Sequence, residues 1–325
     1  PSTPMKALLV QGFLLSGAVI PQCFTRFLFS SLFFPVRCTD LGPRGPSKNN
    51  IQGKINMFAR RQIIAAAVAA VAVTSVLTGC GSQKSEEIKV GATAGPHSAI
   101  VNEAAKVAAK NGLTVKVVEF TDYISPNRAL ADKSLDANVF QHEPFLNNFN
   151  KQQNANLVKI ADAVVQPMGF YSNKIKSLDA IKEGTTISIP NDPTNGGRAL
   201  LLIQAAGLIK LKAGVTGNTA TPADIVENPR GIKIVELEAA QLPRSLDDVE
   251  IAAIPMNYVI SAGLSPAKQG FYFESREAPF ALMIIASRAD NAKDEKVQKF
   301  VKAYQSPEVK AFIEKTFNGA VKAAW

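Results

Sequence analysis

Short apolar runs alternate with amphipathic ones along most of this chain, and that alternation limits the possible folds more than any other feature. "IKVGAT" (88–93) is extended and apolar, "AGPHSAIVNEAAKVAAKNG" (94–112) repeats apolar residues at helical spacing up to a stop at Gly112, and "LTVKVVEF" (113–120) is extended again. A strand, helix and strand of these lengths read as a βαβ unit with parallel strands. The alternation continues with a helix at 127–134, a strand at 135–140, a helix at 144–153 and a strand at 157–165. At "QPMGFYS" (166–172) the texture changes and the chain crosses to a second lobe. That lobe is expected to hold strands at 185–190, 232–238 and 249–255, with helices at 196–211 and 256–263. "APFALMIIASR" (278–288) returns, and two helices (294–305 and 307–317) end the chain, the first burying Val297, Phe300, Val301 and Tyr304 as one stripe. The expected class is therefore α/β, with lobe 1 formed by 88–165 plus 278–325 and lobe 2 by 166–277.

Upstream, "MFARRQIIAAAVAAVAVTSVLTGC" (57–80) has a basic start, an apolar core and small residues leading to Cys80. This is the layout of an export signal. Its apolar run, Ile63 to Leu77, falls short of the roughly 20 residues that span a bilayer. The ending "LTGC" (77–80) resembles a bacterial lipobox, which implies lipidation of Cys80 and a mature chain beginning there. Residues 57–79 are thus expected to be the signal, 80–87 a polar tether that keeps the folded part off the membrane, and 1–56 an over-extended leader ahead of Met57.

Composition supports a cut at Cys80. Residues 1–79 carry eight Lys or Arg and one Asp, leaving 28 basic and 26 acidic side chains from Cys80 onward. The basic excess belongs mostly to the leader, so nothing in the mature part points to nucleic acid. Cys23 and Cys38 also precede the cut, which excludes an intrachain disulfide, a cysteine nucleophile beyond the lipidated residue, and a cysteine metal site. The two histidines have no recognisable zinc spacing, no G-x-S-x-G elbow is present, and no P-loop is present. Catalysis, a metal and a cofactor are therefore not expected.

Ligands in open α/β sheets lie at the carboxyl ends of strands, which singles out the segments holding His97, Tyr123, Phe140, Arg198 and Asn257. "IPNDPTNGGRALLL" (189–202) runs from strand through turn to helix, with Asp192–Pro193 or Thr194–Asn195 as alternative caps. Gly196 and Gly197 could let a ligand approach the backbone. Arg198 then sits near the helix start, where the dipole disfavours a cation unless an anion is bound; the other reading is a solvent-facing Arg. Asn257 suits a ligand with ammonium and carboxylate groups, or is an ordinary helix cap. In "DANVFQHEPFLNNF" (136–149), Phe140 and Phe145 could line a side-chain pocket with Tyr123 or be plain core. His142 could bond a ligand or make a structural bond, and His97 reads as a helix start.

Taken together, "GATAGPH", "EFTDYISPNRALAD", "LDANVFQHEPFL", "PMGFYS", "IPNDPTNGGRALLL" and "QLPRSLDD" resemble, in order, the NlpA/MetQ family of methionine-binding lipoproteins, from Ile88 to Trp325. The resemblance implies two lobes of the periplasmic-binding-protein type, hinged around a ligand cleft. It implies a free amino acid, L-methionine foremost, as cargo, delivered to an ABC permease with its own ATPase. It also implies a location in the cell envelope, lipid-anchored through Cys80 and facing the periplasm or the exterior. Its site would be Tyr123, Phe140, His142 and Phe145 around the side chain, Arg198 on the carboxylate and Asn257 on the polar end, with Gln141 and Glu143 pointing elsewhere. Phe145 stands where the family often has Tyr. Leu282 stands where it usually has Asn, two residues after the returning Pro and aromatic, so an altered ligand contact is expected there. The segment from Pro279 to Arg288 is also one residue longer than usual, which could shift Leu282 out of the pocket. Rival readings keep the fold with another small amino acid or a short peptide, or make the chain a non-transporting surface or adhesion lipoprotein.

Overall fold

The computed structural model describes residues 86–325. The leader, the signal, Cys80 and the first part of the tether lie outside them. The chain enters through β1 (Glu86–Thr93), α1 (Pro96–Lys110), β2 (Leu113–Phe120), α2 (Ser125–Ala131), β3 (Ala137–His142), α3 (Glu143–Gln153) and β4 (Leu157–Val165). It crosses into β5 (Gly169–Tyr171), β6 (Thr186–Pro190), α4 (Pro193–Ala205), β7 (Lys210–Leu211), β8 (Ile225–Glu227) and β9 (Lys233–Leu237). There follow α5 (Leu242–Ser245), β10 (Ile251–Ile254), α6 (Met256–Ser261), α7 (Pro266–Gln269) and β11 (Gly270–Phe273). It returns in β12 (Leu282–Arg288) and ends in α8 (Glu295–Tyr304), α9 (Pro307–Phe317) and β13 (Lys322–Ala323).

Two sheets result, each the spine of an α/β lobe. The first has the order β13-β4-β12-β3-β1-β2 and the second β11-β5-β10-β6-β9. β1 runs parallel to both β2 and β3, as the βαβ pattern requires, and β6 runs parallel to β9 and β10. The returning strand departs from that pattern: β12 inserts between β3 and β4 and is antiparallel to both. The first sheet is therefore mixed, with the parallel βαβ strands at one side of the inserted β12. The second sheet is mixed as well, with β5 antiparallel to β10 and β11.

Local chemistry sets the element ends. Pro96 starts α1, whose Ile100, Val101, Ala104 and Val107 face the core, and Gly112 turns the chain at a positive φ of 78°. Asn154 and Asn318 end α3 and α9 in the left-handed conformation. α4 covers Pro193–Ala205 and not 196–211, because Gly207 at φ 72° breaks it before β7. The tether also ends earlier than expected. Glu86 and Glu87 pair with Leu113 and Thr114 in the sheet, and Lys299 and Lys116 hold their carboxylates at 3.0 Å.

Each lobe has its own core. Ile88, Val90, Ile100 and Leu113 pack with Phe300 and Tyr304 of α8 in the first, while Phe170, Ile187, Ile189, Leu200 and Ile251 fill the second. Burying each such side chain contributes about 1.5–3 kcal/mol. Val297, Phe300 and Tyr304 form the buried stripe of α8, with Val301 half-buried beside them.

Candidate functional site

Lobe 1 supplies an aromatic corner. Tyr123 rides on the turn after β2, which Asp122 fastens by accepting from the backbone N–H of Ile124 and Ser125, both at 2.7 Å. Phe140 and His142 are two residues apart in β3 and share one face, and Phe145 follows in the first turn of α3. The rings of Tyr123, Phe140 and Phe145 meet pairwise with centroids 5.9–6.0 Å apart, within the range of favourable aromatic contacts.

His142 is both a ring in this corner and the cap of α3. Its Nδ1 accepts from the backbone N–H of Phe145 at 3.1 Å, so the ring proton sits on Nε2 and is donated to Asn195 Oδ1 at 3.1 Å. Burial, with the nearby Arg198 charge, lowers its pKa to about 3, and the imidazole is neutral. With both nitrogens engaged, His142 presents only its ring face to a ligand, which narrows the expected hydrogen-bonding role. Glu143 is exposed and faces Lys159 at 3.5 Å. Gln141, expected to point elsewhere, is buried and contributes to the cavity lining, while its amide is turned to lobe 1: it exchanges two 2.7 Å bonds with Asn127 and donates to Asn138 Oδ1 at 3.0 Å, tying α2 to β3.

Lobe 2 brings the polar end. Asp192 caps α4 by accepting from Asn195 N–H at 2.9 Å. Arg198 lies one turn further on and is buried, so the solvent-facing reading falls. Its Nε and Nη2 are taken by Glu274, with Nε 3.0 Å from Oε2, and Nη2 also donates to the Gln166 carbonyl at 3.0 Å. Only Nη1 is left with a weak contact, 3.5 Å from Asn195 Oδ1. The bidentate edge expected to meet a ligand carboxylate is therefore occupied by a side chain of the protein. Nor do Gly196 and Gly197 make room for a ligand: a Cβ at Gly196 would lie 2.8 Å from the Pro190 carbonyl, and one at Gly197 only 2.2 Å from that of Gly217. They let α4 pack against its own lobe.

Asn257 is not a helix cap, since Pro255 holds that position in α6. Its side chain reaches lobe 1, where Oδ1 accepts from the Tyr123 hydroxyl at 2.6 Å. Asn257 Nδ2 and Gln166 Nε2 are buried donors without a hydrogen-bond partner among the described residues. Tyr123, Phe140, His142, Phe145, Arg198 and Asn257 all line one cavity of about 20 Å³. That is room for about one water, so the side chains stand closed together and a ligand enters only as the lobes part.

Leu282 is not in the cavity lining. It pairs with Val165 of β4, and the cavity side of β12 is given by Met283, opposite His142. The ladders of β12 are irregular in register between Leu282 and Ala286, and one step along a strand moves a side chain to the other face. His97 also stays outside the lining, fully buried at the start of α1, where burial lowers its pKa to about 4 despite the neighbouring Gln166. Sequence reasoning missed Gln166, Asn195 and Glu274. Asn195 could have been found from its place one helical turn before Arg198, whereas Glu274 lies 76 positions away and carries no local signal.

A family model described as NlpA lipoprotein matches residues 88–325. The D-methionine-binding lipoprotein MetQ of Escherichia coli (strain K12) is 48% identical over 265 residues, which cover 80% of this chain and 97% of that protein. Outer membrane lipoprotein 3 of Mannheimia haemolytica is 44% identical, with 79% and 97% covered. Among solved structures, a nutrient binding protein from Burkholderia cenocepacia bound to methionine aligns with a TM-score of 0.71 at 49% identity, over 73% of this chain and 100% of that one.

Proposed function

The chain belongs to the NlpA lipoprotein family, whose members are substrate-binding proteins of importers and not enzymes, and we propose that it binds free L-methionine between its lobes and hands it to a membrane permease driven by a separate ATPase. The observation that carries this reading is the polarity of one small cavity. Among its lining groups Arg198 Nη1, Gln166 Nε2 and Asn257 Nδ2 are donors with little or nothing to bond, which suits a carboxylate. Tyr123, Phe140 and Phe145 line the same cavity with ring faces and edges, which suit a flexible thioether. Tyr123, Phe140, His142 and Phe145 are accordingly assigned to the ligand side chain, and Arg198 and Asn257 to its polar end.

Titration calorimetry of the purified protein against L-methionine, D-methionine, leucine and glycyl-methionine tests the cargo. L-methionine is expected to bind most tightly, with leucine at least tenfold weaker, about the 1.4 kcal/mol that separates such ligands in a shaped pocket. Tighter binding of the dipeptide or of leucine would replace the cargo, and no binding by any of the four would favour the adhesion reading. Anchoring is assigned to a lipidated Cys80 in the cell envelope. Cell fractionation checks it: Cys80→Ser should release the protein from membranes, and undiminished membrane association would rule the anchor out.

A further inference from the structure

We propose that Glu274 is a positioning residue that sets the charge selectivity of the cavity, cancelling Arg198 so that the site accepts a net-neutral zwitterion and discriminates against a free anion. The inference rests on the amino-acid reading of the cavity and concerns how it chooses among carboxylates. Arg198 is the one charged side chain among the described residues that line the cavity, and the neutral His142 adds no charge. Glu274 does not line it, yet its carboxylate grips Arg198 through Nε and Nη2. The guanidinium is planar, so fixing that edge also fixes the direction in which Nη1 points. Glu274 Oε1 further accepts from the backbone N–H of Met168 at 2.8 Å, binding the pair to the segment that crosses between the lobes. Asp192, the N-cap of α4, accepts from Asn195 N–H and Nδ2, and a carboxylate there cannot restore the positive field that Glu274 removes.

An isolated Arg at this depth would attract any carboxylate. Paired with Glu274, it supplies a directed donor without a net field. A ligand then gains little from a lone negative charge and has to bring its own compensating ammonium, as a free amino acid does. A purely structural Glu274 would affect stability and leave selectivity alone.

The test compares L-methionine with its 2-hydroxy analogue, an anion of almost the same shape in which hydroxyl replaces ammonium. Calorimetric affinities are measured for wild type, Glu274→Gln and Glu274→Asp. In Glu274→Gln the ratio of methionine to hydroxy-acid affinity should shift toward the hydroxy acid by on the order of tenfold, the effect of one unit charge at about 10 Å under the effective dielectric of a protein interior. Glu274→Asp keeps the charge with a shorter reach and should lower both affinities while holding the wild-type ratio. An unchanged ratio in Glu274→Gln overturns the proposal. So does a ratio in Glu274→Asp that moves toward the hydroxy acid, a readout that stands even where the Gln variant does not fold. A wild-type protein that ignores methionine overturns the cargo assignment instead, and the hydroxy acid alone then decides this inference by whether Glu274→Gln binds it more tightly than wild type.

Discussion

The Tyr123 hydroxyl donates to Asn257 Oδ1 across the cleft at 2.6 Å, and this one bond decides which atoms of Asn257 face the cavity. With Oδ1 engaged, Nδ2 is the end left for a ligand. Tyr123→Phe keeps the ring packing and removes the constraint. Methionine affinity should fall roughly fivefold, matching about 1 kcal/mol for one hydrogen bond, and the unliganded protein should lose about 1–3 kcal/mol of stability because the buried Asn257 Oδ1 is left without its donor. Calorimetry showing unaltered affinity would mean that Asn257 is oriented by its packing alone.

Arg198→Ala should damage more than binding. Removing the guanidinium leaves the largely buried Glu274 with only the Met168 N–H to offset its charge, a loss approaching the roughly 3–5 kcal/mol of a broken buried pair. Denaturant unfolding of the unliganded protein measures it. The double variant Arg198→Ala, Glu274→Gln should recover much of that stability and still fail to bind methionine, separating the two roles. If the double variant is no more stable than the single one, the buried charge is not the source of the loss.

Acid should destabilise the protein through its two buried histidines. Unfolded histidine protonates near its ordinary value of 6.5, whereas burial holds His97 to about 4 and His142 to about 3 in the fold. Between those limits the unfolded chain binds more protons, so stability is full above pH 6.5 and declines as pH falls toward 4. Each histidine contributes a slope of up to about 1.4 kcal/mol per pH unit. His97 lines no part of the cavity, so His97→Gln isolates the effect: unfolding at pH 7, 6 and 5 should show a flatter decline than wild type. The same slope in both proteins would place the acid sensitivity elsewhere.

The sequence made the fold legible where local signals agree, and it made half of the site legible. The run from Ile88 to Phe120 carries period, stop signal and length together, and β1, α1 and β2 form there. Tyr123, Phe140 and Phe145 were visible as aromatics at strand and helix ends. What stayed hidden depends on partners distant in the chain. That Glu274 occupies Arg198, that Gln141 serves a buried amide network, and that β12 enters antiparallel all follow from the second crossing between lobes, which no periodicity encodes. His142 was ambiguous because one side chain both caps α3 and shapes the cavity.

The register of β12 leads to the last prediction. The family resemblance places an amide near the start of this strand, and Leu282 occupies the expected position by simple counting. In the structure Leu282 pairs toward β4 while Met283 faces the cavity opposite His142. Met283 is 5% exposed, so Met283→Asn buries an amide at the cavity wall. Without a partner that amide should lower the stability of the unliganded protein by about 1–3 kcal/mol. A bound amino acid can supply the partner, so methionine should raise the melting temperature of Met283→Asn by more than it raises that of wild type. Leu282→Asn, half-buried and outside the lining, should lose some stability and keep the wild-type methionine affinity. Thermal unfolding with and without methionine, paired with calorimetry, distinguishes the two positions. If affinity responds to Leu282→Asn and not to Met283→Asn, the strand meets the ligand in the other register, and Leu282 is the residue at the polar end.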